Sequence, residues 1–314
     1  FIEPKNKNIE VYDLKTKVLL PGLIDFHVHM ESESGGKEKY INRFQDSKED
    51  VAFKSTVVAK KTLLAGFTTV RDVGGSGVNI ALRNAINRGI VDGPRIFTSG
   101  KTIATTGGHG DPTNGYRPDL VDDPGPQDGV VNSISDARKA VRYRYKNGAD
   151  LIKITATGGV MSMAKNGQNP QFTEEVMKAI VSTANDYGMH VAAHAHGDEG
   201  MYRAVKAGVK TIEHGSIMKE RTMKLMKEKN AYLVPTISAG EHVAKMASIP
   251  GYYPEIIIPK ALEVGVQNKA STKKAYEMGV PISFGTDAGV FPHGDNAGEF
   301  VYWDEIGIPT EYSL

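Results

Sequence analysis

Residues 19–30 read LLPGLIDFHVHM, a short apolar run entered through Pro21-Gly22 and closed by two histidines with one residue between them. Side chains two apart on a strand share a face. His27 and His29 therefore point one way, and Ile24, Phe26 and Val28 the other. On a strand wrapped by helices, the three apolar residues pack outward and both imidazoles turn inward. Working outward, strand-like stretches recur at residues 68–75, 94–100, 150–156, 190–196, 211–214, 232–238 and 281–287. Helical stretches separate them at 51–66, 78–90, 135–148, 173–187, 199–207 and 219–229, with a last one running to about Met278. Thr173 before Glu174 and Glu175 starts a helix, because a hydroxyl cap and early carboxylates suit its free N–H groups. Gly148 and Gly188 stop helices where a left-handed residue is wanted. Strands separated by helices pair in parallel, and eight such units favour a closed (β/α)8 barrel over an open doubly wound sheet.

Composition narrows the function. With 314 residues the chain can bury a large core as one domain. Its 38 Lys and Arg balance 37 Asp and Glu, with no basic stripe of the kind nucleic acid requires. No apolar run approaches the ~20 residues of a membrane span. The absence of cysteine excludes disulfides, thiolate ligands and a cysteine nucleophile. It is silent about compartment. Residues 1–10 do not read as a signal peptide, and the chain opens on Phe1 rather than Met. Cytoplasmic and periplasmic or secreted locations both stay open.

In a barrel the active site is built at the C-terminal ends of the strands, and the unusual polar residues fall there. Two inward imidazoles, His27 and His29, are poor core material; the alternative to a metal is a pair satisfied by backbone. Lys153, in LIKIT, has Ile152 and Ile154 facing the helices and so points inward itself. A buried ammonium is costly, and either an inward carboxylate pairs with it or the neutral amine takes up carbon dioxide as a carbamate. His194 and His196 close the fifth strand, His214 the sixth and Asp287 the eighth. Imidazoles and a carboxylate at four strand ends, with Lys153 at a fifth, suit zinc, and also manganese, iron or cobalt. His242 and His293 lack partnered spacing and read as surface residues, and His190 as packing. Gly107-Gly108 and Gly158-Gly159 lack phosphate-loop spacing. Met161-Ser162-Met163 either lines the pocket or covers it.

The set PGLIDFHVH, LIKITATGG, VAAHAHG, TIEHG and FGTDAG closely resembles the amidohydrolase superfamily, in its prolidase and imidazolonepropionase-related branch. GFTTVRD, GPRIF, TGGHGDP and QNPQFT match as well, so the resemblance covers nearly all of the chain. It implies two divalent metal ions, one held by His27, His29 and Asp287 and the other by His194 and His214. Lys153, as carbamate, would bridge them together with a hydroxide that attacks an amide or peptide bond. His196 is implied as a substrate contact, interchangeable with His194. Asp287 is the expected general base, and the resemblance implies that His109, in the loop after strand three, stabilises the oxyanion; its plain alternative is an exposed loop histidine. Imidazolonepropionases lack the bridging lysine, so Lys153 argues against that activity.

The resemblance further implies an Xaa-Pro dipeptidase. Release of a C-terminal Arg or Lys, cyclic-amide hydrolysis or deamination are the enzymatic alternatives, and a dead scaffold is the alternative of another class. The expected partner is a small dipeptide or amide, with neither nucleic acid nor membrane, and a homo-oligomer is compatible. Family members carry a small β-sandwich around the barrel. Here residues 1–18 are expected to be a remnant of it and 19–314 a barrel cut short in its last helix.

Overall fold

Leu23–Val28 folds as a strand, as its alternation requires, with His27 buried on one face and Ile24 and Phe26 on the other. The structure, a computed structural model, describes residues 12–33, 35–36, 38–163, 165 and 167–313. Of the expected sandwich remnant, residues 1–11 thus lie outside the described residues.

Strand and helix alternate. The first half runs β1 (Leu23–Val28), α1 (Glu38–Gln45), α2 (Lys48–Leu64), β2 (Phe67–Asp72), α3 (Val78–Asn87), β3 (Arg95–Thr98) and α4 (Ile134–Lys146). The second continues with β4 (Ile152–Thr155), α5 (Glu174–Asp186), β5 (Val191–Gly197), α6 (Asp198–Ala207), β6 (Thr211–Ile217) and α7 (Glu220–Lys229). β7 (Tyr232–Val234), α8 (Ile237–Ala247), α9 (Ile258–Glu277), α10 (Gly298–Glu305) and α11 (Thr310–Ser313) complete it. Local chemistry sets the boundaries. Thr173 caps α5 by accepting from the Val176 N–H, and Gly148 and Gly188 take φ of 88° and 69° just past α4 and α5.

All strand pairing is parallel, in the orders β1-β2-β3 and β4-β5-β6-β7. Single parallel pairings join the two sheets at both seams. Ile103, beyond β3, pairs with Ile154 of β4; Ile282 pairs with Leu233 of β7, and Ala288 with Val28 of β1. The eighth expected strand is therefore in place between β7 and β1 but is not a regular one. Pro281 has no N–H to give a ladder, and Asp287 sits at φ 61°, outside extended geometry. Residues 232–238 also depart from expectation: the strand ends at Val234, and Thr236, at φ 52°, turns the chain into α8.

Ile152 and Ile154 are fully buried under the helices, each side chain stabilising the fold by about 1.5–3 kcal/mol relative to exposure. Ile24 and Phe26 point outward as expected but remain 46% and 37% exposed. No helix among the described residues is long and apolar enough to cross a membrane.

Candidate active site

His27 and His29 at the end of β1 meet Asp287 from the last barrel segment. Their Nε2 atoms lie 3.5 and 3.2 Å from Asp287 Oδ1, and each residue offers a ligand atom within 4.8 Å of the others'. His27 Nε2 and Asp287 Oδ1 are buried with no partner in hydrogen-bonding geometry. An unsatisfied buried polar atom costs about 1–3 kcal/mol, so two aimed at one point suit a cation held between them.

The second nitrogen of each imidazole is tied down. His27 Nδ1 donates to Glu213 Oε2 at 2.7 Å, His29 Nδ1 to the Gly74 carbonyl at 2.7 Å, and His194 Nε2 to the Gly158 carbonyl at 3.0 Å. Those oxygens only accept, so the bonded nitrogen carries a proton; in His27 and His194 the lone pair is then on the other, while Asp287 beside Nε2 raises His29 against the effect of its burial. His214 Nδ1 contacts Thr236 Oγ1 at 2.7 Å, and His196 Nδ1 contacts Ser216 Oγ at 3.0 Å. Burial pushes His27 and His196 down to about 4 and holds His194 and His214 well below the ordinary range. Neutral imidazole is the form that ligates metal.

Lys153 is 4% exposed, and burial lowers its amine to about 8. The inward carboxylates around it are engaged elsewhere. Glu213 takes Arg71 Nη2 and His27 Nδ1, both at 2.7 Å, while Asp72 accepts from the Met30 and Gly74 N–H groups and from Asn79 Nδ2. The third, Asp287, keeps Oδ1 without a hydrogen bond but turns it to His27 and His29, and no ion pair joins Lys153 to a carboxylate among the described residues.

The rings of His194 and His214 lie 4.7 Å apart, and those of His194 and His196 4.6 Å. His109 stacks on His194 at 4.4 Å with its Nδ1 buried and unpartnered, and burial drives it down to about 3. Every side chain proposed in the sequence for the catalytic or metal site lines one cavity of about 1090 Å³, as do Met161, Ser162 and Met163.

Several participants escaped the sequence reading. Asp25, buried, accepts from the His27 and Thr286 N–H groups, Thr286 Oγ1 and Asn296 Nδ2, bracing both arms of the ligand pair. It shares the inward parity of His27 and His29, so alternation alone could have found it. Glu213 adjoins His214, which strict alternation would place on opposite faces; φ of 73° at His214 breaks the alternation and lets both serve the site. Gly159 matters sterically: a Cβ there would lie 2.3 Å from the His109 ring. His293 is corrected outright. It is 4% exposed, donating from Nε2 to the His29 carbonyl (3.1 Å) and contacting Thr62 Oγ1 through Nδ1 (3.0 Å). The loop after the eighth segment folds back over β1, which spacing could not reveal. His242 is half-buried, and His190 lies exposed at the opening residue before β5.

Residues 18–306 match the model of the amidohydrolase family. The chain belongs to that family. A Xaa-Pro dipeptidase solved with methionine in its active site is 56% identical to this amidohydrolase, covering 92% of this chain and 71% of that one at a TM-score of 0.88. A prolidase complexed with N-methylphosphonate-L-proline is 34% identical, over 93% and 71%, at a TM-score of 0.83. Ochratoxinase of Aspergillus niger is 32% identical over 311 residues, 94% of this chain. This amidohydrolase spans 63% of that relative's length. It stands with the prolidase-like branch, as its motifs imply.

Proposed function

We propose that this amidohydrolase carries a two-metal centre and hydrolyses the peptide bond of Xaa-Pro dipeptides. The observation that carries the hydrolytic reading is the pair of buried, unpartnered ligand atoms, His27 Nε2 and Asp287 Oδ1, beside a desolvated Lys153. His27, His29 and Asp287 would hold one ion, and His194 and His214 the other. Lys153 would bridge them as a carbamate: its amine nitrogen bonds the carbon of carbon dioxide and gives up one proton to solvent. Zinc or a similar ion, when bound, supplies Lewis acidity and an activated water.

The remaining chemistry belongs to the chain. Asp287 accepts the proton of the attacking water and passes it to the leaving nitrogen. His109, held neutral by burial, donates a hydrogen bond to the carbonyl oxygen as charge develops there. His196, fixed through Ser216, faces the cavity beside the ligands as a substrate contact. The 56% identity to a Xaa-Pro dipeptidase supports the substrate choice. The cavity volume, just above the ~300–1,000 Å³ usual for ligand sites, favours a bulkier amide as the second reading.

The test is full-length protein supplied with zinc or manganese and bicarbonate, incubated with dipeptides varied at the C-terminal residue. Release confined to Xaa-Pro, and lost in Lys153→Ala and Asp287→Ala, is the expected outcome. Release from Xaa-Arg or Xaa-Lys would keep the mechanism and move the specificity. No release from any dipeptide, with metal bound, would overturn the peptidase reading in favour of other amides, cyclic ones included.

A further inference from the structure

We infer that Glu299 is a positioning residue for the metal centre, acting through the turn that carries Thr236 and so on the imidazole of His214. The inference rests on the two-metal reading above. Glu299, on α10, is completely buried and is absent from the cavity lining, so it cannot touch substrate. Its carboxylate faces four donors. Oε1 accepts from the Ile237 N–H at 3.0 Å and Trp303 Nε1 at 2.9 Å; Oε2 accepts from the Ser238 N–H and Ser238 Oγ, both at 2.7 Å. Two of these are opening N–H groups of α8, which have no partner within the helix.

The residue immediately before them is Thr236, 1% exposed and left-handed at φ 52°, ψ 47°. A β-branched residue reaches that region only when its surroundings hold it there. The surroundings here are two clamps: Asn268 Nδ2 on the Pro235 carbonyl at 2.7 Å, and Glu299 on the Ile237 and Ser238 amides. Between them Thr236 is turned so that its hydroxyl meets His214 Nδ1 at 2.7 Å, leaving Nε2 of His214 for the cavity. Without the carboxylate, two amides lose their acceptor and Thr236 loses one clamp. It can then relax to negative φ, and the hydroxyl leaves the ring. His214 keeps its place in the chain but loses the contact that orients it.

Full-length protein stripped of metal and titrated with cobalt, followed by visible absorption and by metal analysis after dialysis, tests this. Glu299→Gln opposes an amide N–H₂ to a donor, and is expected to weaken the second cobalt by at least about tenfold, as loss of outer support does elsewhere. Thr236→Val should reproduce the loss and Thr236→Ser should restore binding. The double variant should be no weaker than the weaker single one. With a Xaa-Pro dipeptide, kcat should fall while KM stays within about twofold, a split that general loosening of the fold would not give. A folded Glu299→Gln protein with unchanged cobalt affinity overturns the inference. Should Glu299→Gln not fold, Thr236→Val decides alone, and unchanged affinity there overturns it equally. A wild type that binds only one cobalt refutes the two-metal reading itself. The positioning claim is then judged on that single ion and falls if Thr236→Val leaves its affinity unchanged.

Discussion

Replacing Gly159 with alanine adds one methyl group at the point where the β4 loop passes the His109 ring. That methyl carbon would lie 2.3 Å from Cε1 and Nδ1 of His109 and 2.5 Å from Nε2. Comfortable carbon contacts begin near 3.5 Å, so the ring must retreat by about 1.2 Å. It is stacked on His194 at 4.4 Å, and retreat breaks that stack or swings the ring out of the cavity. The backbone at Gly159 is not in the left-handed region, so alanine adds no conformational strain and the methyl is the sole perturbation. A misplacement of about 1 Å can cost ~10²-fold in rate, and losing one oxyanion donor costs a similar ~10²–10³-fold. Steady-state hydrolysis of a Xaa-Pro dipeptide by full-length, metal-loaded protein should show kcat lowered about a hundredfold. KM, thermal midpoint and metal content should stay near wild type. His109→Ala should match it, and the double variant should be no slower than His109→Ala, since both act on one group. A folded, fully metallated Gly159→Ala enzyme within threefold of wild type would refute the role given to His109.

Lys153 makes the metal-free protein pH-dependent in a stated direction. Its folded-state amine is lowered from 10.5 to about 8, so between those values the unfolded chain binds more protons and stability rises with pH. At ~1.4 kcal/mol per unit the gain is roughly 3 kcal/mol, complete above about 10.5 and lost as pH falls to about 8. Urea unfolding at pH 8 and pH 10 should show that slope in wild type and lose it in Lys153→Met; equal slopes would count against a desolvated amine. Glu213→Ala strands the buried Arg71 and frees the His27 ring. It should cost the metal-free protein about 3–5 kcal/mol in urea unfolding, and a cost below about 1 kcal/mol would mean that the network is not what holds His27.

The parallel α/β architecture was readable because its signals are local. Alternation in LIDFHV and IKIT, the Thr173 cap and the Gly148 and Gly188 stops each act over a few residues. That the candidate side chains gather in one cavity was readable for the same reason, since inward parity on neighbouring parallel strands places strand-end side chains together. What stayed hidden depended on backbone conformation or on distant segments. The left-handed residues His214, Thr236 and Asp287 break alternation at the very positions where the site is built. Their effect is to let Glu213 serve beside His214, to end β7 early and to keep the eighth segment from being a regular strand. His293, Glu299 and Arg71 reach the site across long sequence separations, for which one sequence holds no spacing rule. The role of Gly159 stayed hidden likewise, because its reason is a neighbour fifty residues away.

The central claim is a two-metal centre bridged by carbamylated Lys153, and metal analysis with ¹³C NMR of the full-length protein grown with ¹³C-bicarbonate tests it most directly. Two ions per chain and one carbamate carbonyl resonance, both lost in Lys153→Ala, are the expected result. One ion or none, or two ions retained with no carbamate signal in wild type and unchanged binding in Lys153→Ala, would contradict it.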